Sequence, residues 1–510
     1  MEIIDQGVNK NSNLITGMQK CKTLAKHIKA QRAPEWPTPL TTELLDKALS
    51  DNLVDCYLET VDKIYRVLHI PTFRKKYDAV WTSDAEPGRD FLAQLKLVYA
   101  LGAITYQEKF PLRASAIRWI YEVQTWISEP EFKPRLGIQF IQTNILLLLA
   151  REMVAVGGES PWIASGSLLR TAVSMGLHRD PSLFPNITTF AAEMRRRQWS
   201  IILELCLQSS LFSGGPPLIS LDDFDTNPPG NFNDDQITAD NATSRPENVF
   251  TQMSTTRALR KTFSARLKVA KLLNDLRAGD SYRETLRVDS ELRESYKEAV
   301  QDLQSSKKTE ASPTAFELNA VDFIMRRYHC ALHFPFFGPA LQEPSYAFSR
   351  KMTVETAFKQ WSVACPSGSV NSSDSAKTEF SRFITYSTGF FRTAAWQAGF
   401  TLVTELRNQL QEDDGLSPTL TRPDLMSVME DSQAWSLTCI EAGETSIKGH
   451  LTLSIVLGQI QGIMNRASQD DIIDVVIKSG EKAEQEAFVI LESFLAQSQP
   501  EAGWRTYLPM

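Results

Sequence analysis

A chain of 510 residues and 57.4 kDa has room for about three to four ordinary domains or one large helical body, and it can bury a sizeable core. Its 42 % hydrophobic and 23 % charged residues are ordinary globular values, which excludes a disordered, collagenous or fibrous protein as the whole answer. With 54 basic and 61 acidic residues the net charge is −7, so the bulk surface is not built to hold nucleic acid by counterion release, and any DNA contact must be local or borrowed.

The first forty residues mix Asn, Ser, Lys and isolated apolar positions and close on Pro34, Pro37 and Pro39, which predicts a flexible segment over 1–40. From Thr41 the pattern turns helical, with Leu44, Leu45, Ala48, Leu49, Leu53, Val54 and Tyr57 on one face. His69 to Phe73 makes a short break. Three packed helices follow, Phe91 to Ile104, Ala114 to Ile127 and Ile138 to Val154, with Pro111, Pro130 and Pro134 in the connections. Ser160 before Pro161, and Gly176 where a left-handed residue is wanted, bound a helix near 161–175. The next, from about Ala191 to Phe212, is apolar on nearly every side between Trp199 and Leu207, which places it in the middle of a bundle. Ser213 to Asn248 carries Gly214, Gly215, Pro216, Pro217, Pro228, Pro229 and Gly230 among many Asp and Asn, and reads as a long surface loop.

Helical patterns return at Phe250 to Leu276, Arg283 to Leu303 and, past a Ser305 to Pro313 linker, Phe316 to Phe334. A Ser-rich break at Pro366 to Ser375 precedes helices near 378–411, 424–447, 449–465 and 480–496. No alternating strand pattern competes and no fixed repeat is visible, so the predicted fold is all-α, a large multi-helical bundle with long connecting loops. The stretch most like a membrane span, Ile138 to Val156, is interrupted by Gln139, Gln142, Asn144, Arg151 and Glu152, which predicts a soluble chain. The cysteines at 21, 56, 206, 330, 365 and 439 contain no Cys-x-x-Cys pair, so zinc fingers and ribbons are absent and a reducing compartment is expected. The sequons at Asn186, Asn241 and Asn371 are accordingly read as chance.

Four ordered segments carry a resemblance. Ser167 to Pro181 ends a small-residue helix in Gly176-Leu177-His178-Arg179-Asp180, and Glu193-Met194-Arg195-Arg196-Arg197-Gln198-Trp199 follows. Ser213-Gly214-Gly215-Pro216-Pro217 then leads into Asp222-Asp223-Phe224-Asp225 and Pro228, and upstream stands Leu68-His69-Ile70-Pro71-Thr72-Phe73 with Tyr77 and Trp81. This order resembles the fungal-specific transcription factor domain, the middle homology region of binuclear zinc cluster regulators, with weaker similarity through Arg326-Arg327-Tyr328-His329 to Phe334-Pro335-Phe336. The departure is at the start, where that family carries six clustered cysteines and this chain has only Cys21.

Physically these segments read as architecture. His178 and Arg179 are expected to bond the last carbonyls of their helix or a neighbouring carboxylate, and Arg195 to Arg197 to cover apolar surface and pair with acids. The tryptophans, from Trp36 to Trp504, read as core rather than as a base-stacking platform. Asp222-Asp223-Phe224-Asp225 and Asn274-Asp275-Leu276 mimic magnesium-binding aspartates, but Thr226 breaks the helical spacing and Ala278 and Tyr282 stand where ligands are needed. His329 and His333 share a helix face, yet no Glu follows His329 to make a zinc protease, and nucleophile, Walker and dinucleotide signatures are missing. The expectation is no enzyme, no catalytic, metal or cofactor residue, and no cofactor.

The resemblance implies a transcription regulator, or a regulator-like protein, that lacks its own zinc cluster and acts in the nucleus through protein or small-ligand contacts; the alternatives are a helical ligand-binding protein without a transcriptional role and an unrecognised enzyme. Its expected parts are the flexible segment, the middle homology region over 41–345 and a C-terminal helical region over 346–510 packing on it. Expected partners are a zinc cluster transcription factor or the transcription machinery, a homo- or heterodimer mate and a small-molecule effector, with no membrane and no direct DNA contact from this chain alone. DNA would be reached by dimerising with a zinc cluster protein, or through a longer gene product. The acidic loop Leu221 to Asp235, which shows no packing face, and the tail Gln499 to Met510 are the expected contact segments.

Overall fold

Every regular element among the described residues is a helix, as the 3.6-residue apolar spacing demands. The structure, a computed structural model, describes residues 12–83, 86–130, 137–157, 160–239, 242–276, 281–305, 312–366, 378–412 and 422–497. In chain order the helices are α1 (Ser12–Arg32), α2 (Lys47–Glu59), the single turn α3 (Val61–Ile64), α4 (Ile70–Thr82), α5 (Arg89–Tyr106), α6 (Arg113–Ile127), α7 (Ile138–Val154), α8 (Pro161–Ser174) and α9 (Thr189–Ser213). The second half adds α10 (Ser254–Leu273), α11 (Ser281–Ser305), α12 (Ala315–His333), α13 (Ala347–Ala364), α14 (Glu379–Tyr386), α15 (Phe390–Gln411), α16 (Pro423–Glu441), α17 (Lys448–Met464) and α18 (Gln469–Gln497). None of these helices is long and apolar enough to cross a membrane.

One continuous core runs from Leu53 to Ile460. At its centre lies α9, whose Trp199 to Leu207 stretch is buried throughout, as its all-round apolarity predicts. Even Glu204 is enclosed there, because Arg266 of α10 meets both of its oxygens at 2.7 Å. α8 ends as expected. Gly176 is left-handed at φ +73°, and the bonds Leu177 N–H to Ala172 O and Gly176 N–H to Val173 O, both 2.9 Å, form a Schellman closure over buried Leu177. Ser160 precedes Pro161 without making a side-chain cap bond.

Several expectations are corrected. Residues 12–32 are not an irregular flexible run but α1, which buries Leu14, Cys21 and Ile28 against α17 and α18. The pattern from Thr41 becomes helix only at Lys47, where the Asp46 side chain accepts the Leu49 N–H at 3.0 Å. The break at His69 is itself the cap of α4. Helix α13 escaped detection because its inner face buries Ser349, Thr353, Thr356 and Gln360 beside Val354 and Trp361, so no apolar stripe shows. The single helix expected near 378–411 is two, parted at Gly389 (φ +77°), where α7 takes over the backbone: Thr388 N–H bonds Met153 O and Phe390 N–H bonds Glu152 Oε1, both at 2.8 Å. α18 begins at Gln469, well before the expected start near 480, because Ser468 caps it through the Asp471 N–H. The core reading of the tryptophans holds for Trp199, Trp361 and Trp435 but not for Trp36, which is exposed, and Trp504 lies outside the described residues.

Candidate functional site

The sequence segments at His69, Gly176 to Asp180, Glu193 to Trp199 and Asp225 meet at one place, around the N-terminal half of α9, whereas Ser213 to Pro217 lies at its other end against Trp162. Arg195, Arg196 and Arg197 point in three directions and each finds oxygen. Arg195 Nη2 donates to Met175 O (3.2 Å) and Gly176 O (2.7 Å), closing the carbonyl end of α8 that His178 was expected to close. Its guanidinium also lies over the Phe184 ring. Arg196 forks onto Asp180 (3.1 and 2.8 Å) and reaches Glu193 at 2.7 Å. Arg197, 0 % exposed, pairs at 2.6 Å with Asp234, 2 % exposed.

That last pair corrects the picture of a solvated acidic loop without a packing face. Between Ser213 and Asn248 the chain buries Thr226, Asn231, Phe232, Asp234 and Ile237, with Phe232 and Ile237 packed on Met194. The loop wraps the Gly176 to Asp180 turn: Asp225 N–H bonds His178 O (3.1 Å), Thr226 Oγ1 donates to Leu177 O (2.7 Å), and Asp225 pairs with Arg179 at 2.9 Å. Arg179 thus meets a carboxylate as expected, whereas the His178 ring faces Trp199 and its Nδ1 has no hydrogen-bond partner among the described residues. Asp234 also accepts the Ile70 N–H (2.8 Å), and its carbonyl receives His69 Nε2–H (2.8 Å), leaving Nδ1 to accept from the first turn of α4. Burial raises the Asp180 carboxyl, but hydrogen bonds from Arg196, Ser182 and Asn227 outweigh it and hold it well below the usual carboxylate range.

The metal-like and enzyme-like residues have other employment. Asp223 and Ser220 form a capping box on a single 3-10 turn, and Asn274 ends α10 by donating to Ala270 O. His329 and His333 both face Asp289, at 3.6 and 3.0 Å, and Arg293 holds its other oxygen at 2.7 Å. His333 Nδ1 lies 2.9 Å from Ser349 Oγ, which copies the order of a nucleophile, base and orienter. Ser349 and His333 are completely buried, so no substrate carbonyl reaches that hydroxyl.

What the sequence reading missed is an open cavity of about 800 Å³ where Phe334 and Phe337, α15, the end of α16 and the start of α17 come together. Phe334, Trp396 and Phe400 form its apolar wall, and Arg392, Glu444 and Lys448 its polar end. These residues belong to four elements and share no short motif, so only the fold could assemble them. The tail Gln499 to Met510 lies outside the described residues.

Residues 54–320 match the family model described as the fungal specific transcription factor domain. Among curated proteins the chain is similar to transcription factor lepE of Aspergillus flavus, 33 % identical over 94 % of this chain and 60 % of that protein. It is also similar to transcription factor opdR of Penicillium oxalicum, 31 % identical over 97 % and 66 %, and to transcription factor asR3 of Sarocladium schorii, 27 % identical over 84 % and 54 %. The chain therefore spans 54 to 66 % of the length of these relatives. No solved structure matches it.

Proposed function

Since the chain belongs to the fungal specific transcription factor domain family, we propose that it is a transcription regulator that works through protein or small-ligand contacts in the nucleus. The observation that carries this reading is the family match over 54–320, more than half of the chain. The chemistry supports it from two sides. In the arginine run, Arg196 and Arg197 turn onto Asp180, Glu193 and Asp234 and Arg195 onto the carbonyls of Met175 and Gly176, which leaves no row of guanidinium groups there for phosphates. The six cysteines stand 35 or more positions apart and five of them are buried, so they do not gather into a zinc module. DNA is then reached with a zinc cluster transcription factor or the transcription machinery as partner, or through a longer gene product, and no reaction is catalysed.

The test is recruitment. Tethered to a reporter promoter by a foreign DNA-binding domain in a fungal host, the chain should change the transcript, and pull-down should recover a zinc cluster protein or a component of the transcription machinery. A folded, tethered chain that leaves the transcript unchanged and recovers neither overturns the reading.

A further inference from the structure

The cavity between α15, α16 and α17 has two unlike ends. Its wall exposes aromatic surface that a bundle would normally bury: Phe334 is 41 % and Phe400 38 % exposed, beside half-buried Trp396. Its other end carries more cationic than anionic groups. Buried Arg392 donates Nη2 to Thr385 O at 2.5 Å but reaches Glu444 Oε2 only at 3.4 Å, and its Nε has no hydrogen-bond partner among the described residues. Lys448 has no carboxylate at ion-pair distance among the described residues. Glu444 supplies the one opposing charge there and is divided between Arg392 and the Ser446 N–H (2.9 Å). His450 adds no charge, because burial lowers its pKa while Ser436 Oγ sits 2.6 Å from Nδ1 and Glu486 3.7 Å from Nε2.

Two helix N-termini also face this cavity, and they differ. At α15 the Phe390 N–H is taken by Glu152. At α17, a helix of 17 residues that opens on Lys448 and Gly449, no side chain caps the first turn. N–H groups without a side-chain cap among the described residues, the positive end of a helix dipole and the exposed Lys448 ammonium converge where a carboxylate is the complementary guest. The volume lies within the range of pockets that enclose drug-sized molecules.

We propose that this cavity binds a small amphipathic carboxylic acid, with an aromatic or polyunsaturated body against Phe334, Trp396 and Phe400 and its carboxylate at Lys448 and the first turn of α17. The acid bridges α15 and α17, so its occupancy biases how the C-terminal helices pack. This names the chemistry of the effector in the regulatory reading and rests on that reading for its consequence, whereas binding itself is measured on the purified chain alone, so either can fail without the other.

Two fluorescent probes test it: 8-anilinonaphthalene-1-sulfonate, an aromatic anion, and cis-parinaric acid, a polyunsaturated acid, with uncharged N-phenyl-1-naphthylamine as the control. Both anions should saturate one site per chain and compete with each other. Lys448→Glu should weaken both by about tenfold or more while changing the neutral probe less than about twofold, as removal of a charge partner predicts. Phe400→Ser should weaken all three probes without altering the melting temperature. Absence of saturable binding overturns the proposal, as does a Lys448→Glu variant that binds the anions like the parent. Phe400→Ser releasing a co-purified protein with no effect on the dyes would assign the cavity to protein docking instead, and overturn it equally.

Discussion

The surroundings of α9 and the cavity at α15 to α17 use the same residue types to opposite ends. Around α9, arginine meets aspartate at bonding distance inside the closed core, although Arg195 Nε and Arg197 Nε and Nη2 have no hydrogen-bond partner among the described residues. At the cavity, Arg392 lies 3.4 Å from its acid, Lys448 has none among the described residues, and Phe334 and Phe400 are exposed beside half-buried Trp396. Acid pairing inside a closed core separates a structural site from a binding site more reliably than composition does. Charge that is enclosed with its counter-ion leaves no room for a guest, whereas charge without a close acid beside uncovered apolar surface has one to gain.

The strongest challenge to that contrast is Arg197→Met. It would strand the buried Asp234 carboxylate and loosen both the loop and the start of α4, so stability should fall by roughly 3 to 5 kcal/mol. Equilibrium denaturation that matches the parent would show that the pairing around α9 is not structural. A smaller loss, about 1 to 2 kcal/mol, is expected for Gly176→Val, since a β-branched residue must adopt φ +73° at the end of α8. The corresponding measurement is thermal melting, and an unshifted midpoint would remove the Schellman closure from the account.

The two regions should also respond to acid with opposite sign. Asp180 titrates below its unfolded value, so its contribution is complete above about pH 4 and is lost as the pH falls further. Glu152, whose Oε1 holds the first N–H of α15 beside the cavity, is pushed up to about 7 by burial. Its folded form binds the proton more tightly, so that site is most stable below about pH 4.5 and loses stability as the pH rises through 7. Glu152→Gln should flatten stability between pH 5 and 8 while leaving the acid limb intact, and denaturant titrations at several pH values decide it. The smallest effect expected is Phe400→Ser, within about 0.5 kcal/mol of the parent, because the ring is already 38 % exposed. A large destabilisation there would make the aromatic wall a structural element rather than an open one.

Local structure was legible from short-range pattern. Apolar spacing gave the helices their identity, Gly176 its left-handed turn and α9 its central position, because each depends on residues within a few turns of one another. The motif order was enough to suggest the family, although not to say why those segments belong together. That reason became visible only when Asp234 was seen to reach His69 and Ile70, 165 and 164 positions earlier, and to neutralise Arg197. The fold likewise decided that residues 12–32 form a helix on the far end of the chain, that α14 and α15 part where Glu152 intrudes, and that a cavity stays open beside Lys448. A segment rich in Gly, Pro and Asp has no local signal that separates solvated from buried, since the difference lies in which distant donors satisfy its backbone and carboxylates, and only the tertiary arrangement supplies them.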